Sequence, residues 1–159
     1  MKKQTHKTPT GDATVGNFGS KSRINYTCIG DSVNLASRLE ELNKYYHTYI
    51  IISDVTHKYV HRSFVCKPLD RVAVKGKDNV VEVYELITER VSASNELLEK
   101  LKIYQEAYNT LFEERDMKQA EKMFVEYTER YPDEYVEYHL DTCRKYMDEP
   151  DEWLGHTYM

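Results

Sequence analysis

The periodicity of the chain changes once, close to residue 88, and that change limits the folds open to it. Up to residue 87, short alternating or continuous apolar runs are interleaved with helical spacing. Beyond residue 95 the period is helical throughout, with Leu97, Leu101, Tyr104, Tyr108 and Leu111 on one stripe. Interleaved strands and helices predict an α+β module over residues 1–87, and the uniform period predicts a helical tail over 95–159. TERVSAS, residues 88–94, reads as the linker between them. Charge divides at the same place. Residues 1–87 carry 13 Lys and Arg against 9 Asp and Glu, whereas residues 88–159 carry 9 against 18. Such asymmetry predicts two modules with different partners: the first can accommodate an anion, and the acidic second excludes a nucleic-acid surface.

Within the first module, DATVGNF (12–18) reads as a strand interrupted by Gly16, GSKS as a hairpin loop and RINYTCI as the return strand. Gly30 permits a tight turn, and Asp31 or Ser32 can cap the helix that follows. On that helix Leu35, Leu39, Leu42 and Tyr46 recur at core spacing. Asn34 and Arg38, four residues apart, share the adjoining face. YIIIS (49–53) suits a buried strand, and DVTHKYVHR a short helix with Asp54 as its cap. DRVAV and VVEVYEL are two further strands around a KGKD turn containing Gly76. In the tail, helices are expected over Met117–Tyr131, ended by Pro132, and over Glu134–Met147.

Several classes are excluded by what the residues lack. No apolar run approaches the ~20 residues that cross a bilayer, and MKKQTHKTPTGD has no apolar stretch behind its basic residues, so neither a membrane segment nor a secretory signal is expected. Cys28, Cys66 and Cys143 are odd in number and widely spaced, which points to a reducing, cytoplasmic setting. His57 and His61 have a metal-like spacing but no third ligand nearby, and read as solvated histidines on a short helix.

One string carries more than periodicity. YTCIGDSVNLASRLE, preceded by TGDATVGNFGS and followed by VAVKGKDNVVEVYEL, resembles the class III nucleotide cyclases, the adenylate and guanylate cyclases, over about residues 10–87. The resemblance implies the C-terminal part of a ferredoxin-like cyclase domain that converts ATP to cyclic AMP and pyrophosphate in intracellular signalling. It implies that Asn34 orients the ribose and that Arg38 stabilises charge developing at the α-phosphate as the 3′-hydroxyl attacks. Lys75 would contact the phosphates, and Thr27 would stand where the purine is selected, in favour of ATP. A planar guanidinium with fixed donors suits a charge that appears only during reaction, and an amide suits orientation.

The family also uses Mg²⁺ or Mn²⁺ held by two aspartates that precede the matched segment. The chain's MKKQTHKTP has no carboxylate, so no metal ligands are expected here, and a strand next to the family's first strands is expected to be an open edge. Family sites lie between two protomers, which implies a second cyclase protomer as partner. The expected location is the cytoplasm, or the cytosolic end of a membrane-bound cyclase. In the tail, residues 101–132 resemble one tetratricopeptide repeat, with Tyr104, Ala107, Leu111, Ala120, Phe124 and Pro132 at signature positions. The alternative to an enzyme is a non-catalytic interaction module that works through this tail and a protein partner bound to it.

Overall fold

A computed structural model describes residues 10–20, 23–73 and 80–158, and the backbone alone of 6–8. Strand β1 (His6–Thr8) is followed by a ribbon of β2 (Thr14–Ser20) and β3 (Arg23–Ile29), then by helix α1 (Asp31–Tyr45). Strand β4 (Ile50–Ser53), helix α2 (Asp54–Val60) and the long strands β5 (Phe64–Ala73) and β6 (Val80–Glu89) complete the first part. Helices α3 (Asn95–Asn109), α4 (Met117–Arg130) and α5 (Val136–Lys145) follow, and a short strand β7 (Thr157–Tyr158) closes the chain. The architecture is α+β, with one sheet ordered β1-β4-β6-β5-β7 beside the separate β2–β3 ribbon.

The return strand and α1 form where alternation and leucine spacing predict. Two caps differ from expectation. Ser53, not Asp54, caps α2, its hydroxyl accepting the Thr56 amide at 3.4 Å. Neither Asp31 nor Ser32 caps α1: the Ncap is Gly30, and the Ser32 hydroxyl instead donates to the Asp12 carbonyl at 2.8 Å. That bond ties the helix start to the segment before β2.

The sheet ends in two short edge strands, β1 and β7. β1 pairs in parallel with β4, from His6 opposite Ile50 to Thr8 opposite Ile52. At the other side β7 pairs in parallel with β5, placing Thr157 opposite Val72 and Tyr158 opposite Ala73. Main-chain pairing asks little of side chains, so MKKQTHKTP could contribute a strand without looking like one.

Two apolar clusters hold the molecule. Leu39, Tyr46, Ile51, Leu69, Val72 and Val83 join α1 to the sheet, and Tyr135, at the start of α5, belongs to the same cluster. The second lies among the tail helices, around Tyr104, Leu111, Ala120, Phe124, Tyr127 and Leu140. Polar groups cross the seam between them. The Lys67 ammonium of β5 lies 2.6 Å from the Asp133 carboxylate and 4.5 Å from the centre of the Tyr104 ring. Tyr104 donates its hydroxyl to the Pro68 carbonyl at 2.9 Å, and Tyr135 donates to the carbonyl of Leu69. A β-bulge at Pro68–Asp70, one of two register shifts between β5 and β6, turns these carbonyls out of the ladder toward the tail.

At the centre of the tail, His139 is wholly buried and stacks on Phe124 with ring centroids 5.0 Å apart. Its Nε2 lies 2.9 Å from the Tyr104 hydroxyl, and its Nδ1 has no hydrogen-bond partner among the described residues. Burial, with Lys67 nearby, pushes the imidazole from its ordinary 6.5 to about 3. The unfolded chain therefore takes up a proton that the folded chain refuses, and stability falls as pH drops below about 6.5. By the usual conversion this amounts to roughly 2–3 kcal/mol by about pH 4.5. Asp70, whose carboxyl burial raises to about 6, acts in the opposite sense, so the comparison must be with a variant. Thermal melts of wild type and His139→Phe at neutral and acidic pH should show a smaller acid loss in the variant. An identical loss in both would rule out the neutral buried imidazole.

Candidate functional site

Helix α1 starts directly from the ribbon, and one glycine makes that junction. Gly30 has φ 156°, and a Cβ placed on it would lie 2.8 Å from the Asp12 carbonyl oxygen. The close approach brings β3 and the segment before β2 together under the first turn, where the Asn34 amide closes onto the Gly30 carbonyl at 3.0 Å. Asn34 is exposed, and Arg38 follows one turn later, half-buried. The Nη1 of Arg38 is shielded from solvent and has no hydrogen-bond partner among the described residues. A charged donor withdrawn from water without an acceptor is costly and calls for an explanation, among which a bound ligand is one.

What holds Arg38 in place is the other face of the helix. Leu39 is fully buried beside it, with Leu35 and Leu42 packed on the same cluster. The far end is anchored by Tyr46, whose hydroxyl donates to the buried Asp70 carboxylate at 2.9 Å. Asp70 also accepts from the Arg71 amide at 2.7 Å and from the Thr157 hydroxyl at 2.7 Å, which brings α1, β5 and the end of the tail to one carboxylate. Periodicity did not single this group out. The available signal was an aspartate at the head of the strand segment DRVAV.

Thr27 stands on β3 opposite Gly16. Cross-strand partners share a face and successive residues alternate. Thr27 therefore lies on the ribbon face opposite to Val15, Ile24, Tyr26 and Cys28, all of which are exposed. Arg23 is exposed at the tip of the ribbon. Lys75 lies outside the described residues, as does Lys21. On either side of the segment with Lys75, Ala73 ends β5 and Val80 begins β6.

The metal implied by the resemblance does not fit what is described. Among the described residues no group of three or more His, Cys, Asp or Glu side chains could hold an ion. Asp12 and Asp31, the carboxylates nearest the turn, are both exposed. No step is derived through a metal.

The model of the adenylate and guanylate cyclase catalytic domain matches residues 9–88. The chain belongs to that family. Adenylate cyclase 1 of Rhizobium meliloti (strain 1021) is 38% identical over 78 residues, 49% of this chain and 12% of that protein. The terminal-differentiation-specific adenylate cyclase of Dictyostelium discoideum is 42% identical over 81 residues, 49% of this chain and 4% of that protein. The chain thus spans a small part of these cyclases. Among solved structures, the adenylyl cyclase CyaB from P. aeruginosa is similar with 37% identity and a TM-score of 0.44, over 54% of this chain and 43% of that one.

The cyclase segment rests locally on the turn at Gly30. Replacing Gly30 with Ala forces a Cβ against the Asp12 carbonyl in a backbone conformation that L residues rarely adopt. We expect Gly30→Ala to lower unfolding free energy by about 1–3 kcal/mol, read from urea denaturation. A variant as stable as wild type would show that the turn tolerates a side chain.

Proposed function

We propose that this chain supplies the ribose-orienting and charge-stabilising half of an adenylate cyclase site, acting on ATP with a second protomer. The observation that carries the reading is Arg38: a guanidinium half-buried beside Leu39, with one nitrogen shielded and unpartnered, one turn from an exposed amide. In cyclisation the ribose 3′-oxygen bonds to the α-phosphorus, and the bond to the bridging oxygen of pyrophosphate breaks. Negative charge grows on the phosphoryl oxygens and on the leaving group. Arg38 offers fixed donors to that charge, and Asn34 holds the ribose so that its 3′-oxygen approaches in line. Lys75 acts as a point charge on the phosphates.

ATP is preferred over GTP on two grounds: Thr27 occupies the purine-selecting position of the resemblance, and the matched relatives are named as adenylate cyclases. The Mg²⁺ or Mn²⁺ ligands come from the other protomer. Support for a second protomer lies in the ribbon. Ile24 and Tyr26 are 63% and 75% exposed on the face away from Thr27, together with Val15, which suits a surface that another chain covers. We place the domain boundary near residues 88–94, and the tail as a tetratricopeptide-like unit. Tyr104, Ala107, Leu111, Ala120 and Phe124 are all fully buried, in keeping with signature positions. We also place the chain in the cytoplasm; no described helix is long and apolar enough to cross a membrane.

The test mixes this chain with an intact cyclase whose own Asn and Arg have been replaced. Cyclic AMP should form in the mixture, and Arg38→Ala should lower its rate by about 10³-fold or more, as arginines that stabilise phosphoryl transfer do. Asn34→Ala should lower it less. A rate indifferent to Arg38 would leave the interaction-module reading in possession.

A further inference from the structure

Where the tail meets the hairpin, a cavity of about 490 Å³ opens, lined from three directions. Helix α2 brings His57 and Lys58, the hairpin brings Arg71, Glu82 and Tyr84, and the tail brings Arg115 and His156. It lies on the other side of the sheet from α1. Val81 and Val83 of β6 pack with the α1 cluster, so the alternate residues Glu82 and Tyr84 face away from it.

The charges of this cavity are unevenly matched. Lys58 is 3.4 Å from Asp54, and Arg71 is engaged by Glu82 at 3.8 Å and by Glu113. Arg115 has no carboxylate partner among the described residues. Its Nη1 donates to the Trp153 carbonyl at 3.1 Å, and the guanidinium lies 5.8 Å from the centre of the Trp153 ring. Gly155, at φ 75°, runs close past it: a Cβ there would be 3.1 Å from Nη2. The tail thus fixes a cation at the cavity wall without neutralising it. Lys58 takes Asp54 and Arg71 takes both Glu82 and Glu113, so Arg115 is the lining cation left without a carboxylate among the described residues.

Two stacked rings line the same cavity. His57 and Tyr84 stack with centroids 3.9 Å apart and planes 12° from parallel, beside Val80 and Leu154. Burial and the neighbouring His61 hold the His57 imidazole below its ordinary pKa, with Glu82 and Asp54 opposing. It is therefore neutral at pH 7 and offers a ring and a hydrogen bond rather than a charge.

We propose that this seam cavity binds a small monoanionic phosphate ester that carries a planar ring, with Arg115, Lys58 and His156 at the phosphate and the His57–Tyr84 stack beside the ring. Pockets for such ligands span ~300–1,000 Å³ and combine apolar walls with a few convergent polar groups. A ligand seated there touches α2, the hairpin and the tail together, and so holds the tail to the cyclase segment. The inference does not depend on the proposed cyclase activity.

Trp153, the chain's one tryptophan, lies under Arg115 and reports on it directly. The test is a titration of the full chain with cyclic AMP, AMP and inorganic phosphate, followed by tryptophan fluorescence. Cyclic AMP, a ring-bearing monoanion, should give a saturable change, and inorganic phosphate should need at least about tenfold more for the same effect. Lys58→Glu, a reversal at an exposed side chain, should raise the cyclic AMP midpoint about tenfold or more. Arg115→Lys should raise it too while keeping the charge. Arg38→Ala should leave it unchanged, whatever it does to cyclic AMP formation, so failure of the cyclase reading stays separate. The assignment is overturned if cyclic AMP gives no saturable response, if phosphate matches it, if Lys58→Glu leaves the midpoint in place, or if Arg38→Ala abolishes the response.

Discussion

The Lys67 ammonium sets the terms for the seam between sheet and tail. It is a cation with almost no access to water, held at 2.6 Å from Asp133 and over the faces of Tyr104 and Tyr135. A buried charge is tolerable only when paired and surrounded by satisfied donors and acceptors. The pair here does not come from one element. Lys67 belongs to β5 and Asp133 to the approach of α5, so the ion pair exists only when the tail is docked. Burial raises the Glu85 carboxyl, and Lys67 lowers it in return, so a third charge is drawn into the same balance. Docking is specified by electrostatics as well as by contact area.

From that seam the influence reaches α1 through Asp70. Its carboxylate receives Tyr46 from the end of the helix and Thr157 from the end of the chain, while the Tyr138 hydroxyl meets Thr157. Burial raises its pKa to about 6 in spite of these donors, which means that desolvation outweighs them. The helix carrying Asn34 and Arg38 is thus anchored at its C-terminal end to a group shared with the tail. β7 pairs with β5 at Val72 and Ala73, the last described residues of that strand. The helix that carries Asn34 and Arg38 is thus connected to the tail by bonds rather than by proximity alone.

How much of this was legible depends on which force makes each element. α1 could be read because its leucines recur at core spacing, and the return strand because RINYTCI alternates. The first half of β5 could not. Lys67 and Pro68 interrupt any apolar pattern in FVCKPLD, and both stand in the strand because a bulge and the tail meet their needs. β1 and β7 were missed for a different reason: three-residue and two-residue strands are made by backbone pairing, which leaves little mark on side chains. In the candidate site, Asn34, Arg38 and Thr27 came from the resemblance. The unpartnered Nη1 is a property of the folded helix, since spacing says nothing about what a guanidinium lacks. Tyr108 and Tyr127 look too bulky for their places, yet both are buried, each with its hydroxyl turned to a carboxylate, Glu82 and Asp133 respectively. A tyrosine fits a crowded helical crossing when its polar end has somewhere to go.

The two sides of this sheet now carry different chemistry, and the alternation of one strand separates them. Val81 and Val83 support the helix that presents Arg38, whereas Glu82 and Tyr84 face the seam cavity with Arg115. On β6 a change of one residue in register would exchange these sets, burying Glu82 among leucines and exposing valines to the cavity. Tyr108 and Arg71 both bind Glu82, and Tyr84 donates to it at 2.5 Å, so the glutamate is fixed to its side by the tail and by its own strand. The register that places the arginine helix is therefore the same one that builds the cavity. A tail that stabilises the one stabilises the other, and this gives a physical reason for a cyclase segment to keep an acidic, tyrosine-rich helical unit packed against its β5 edge.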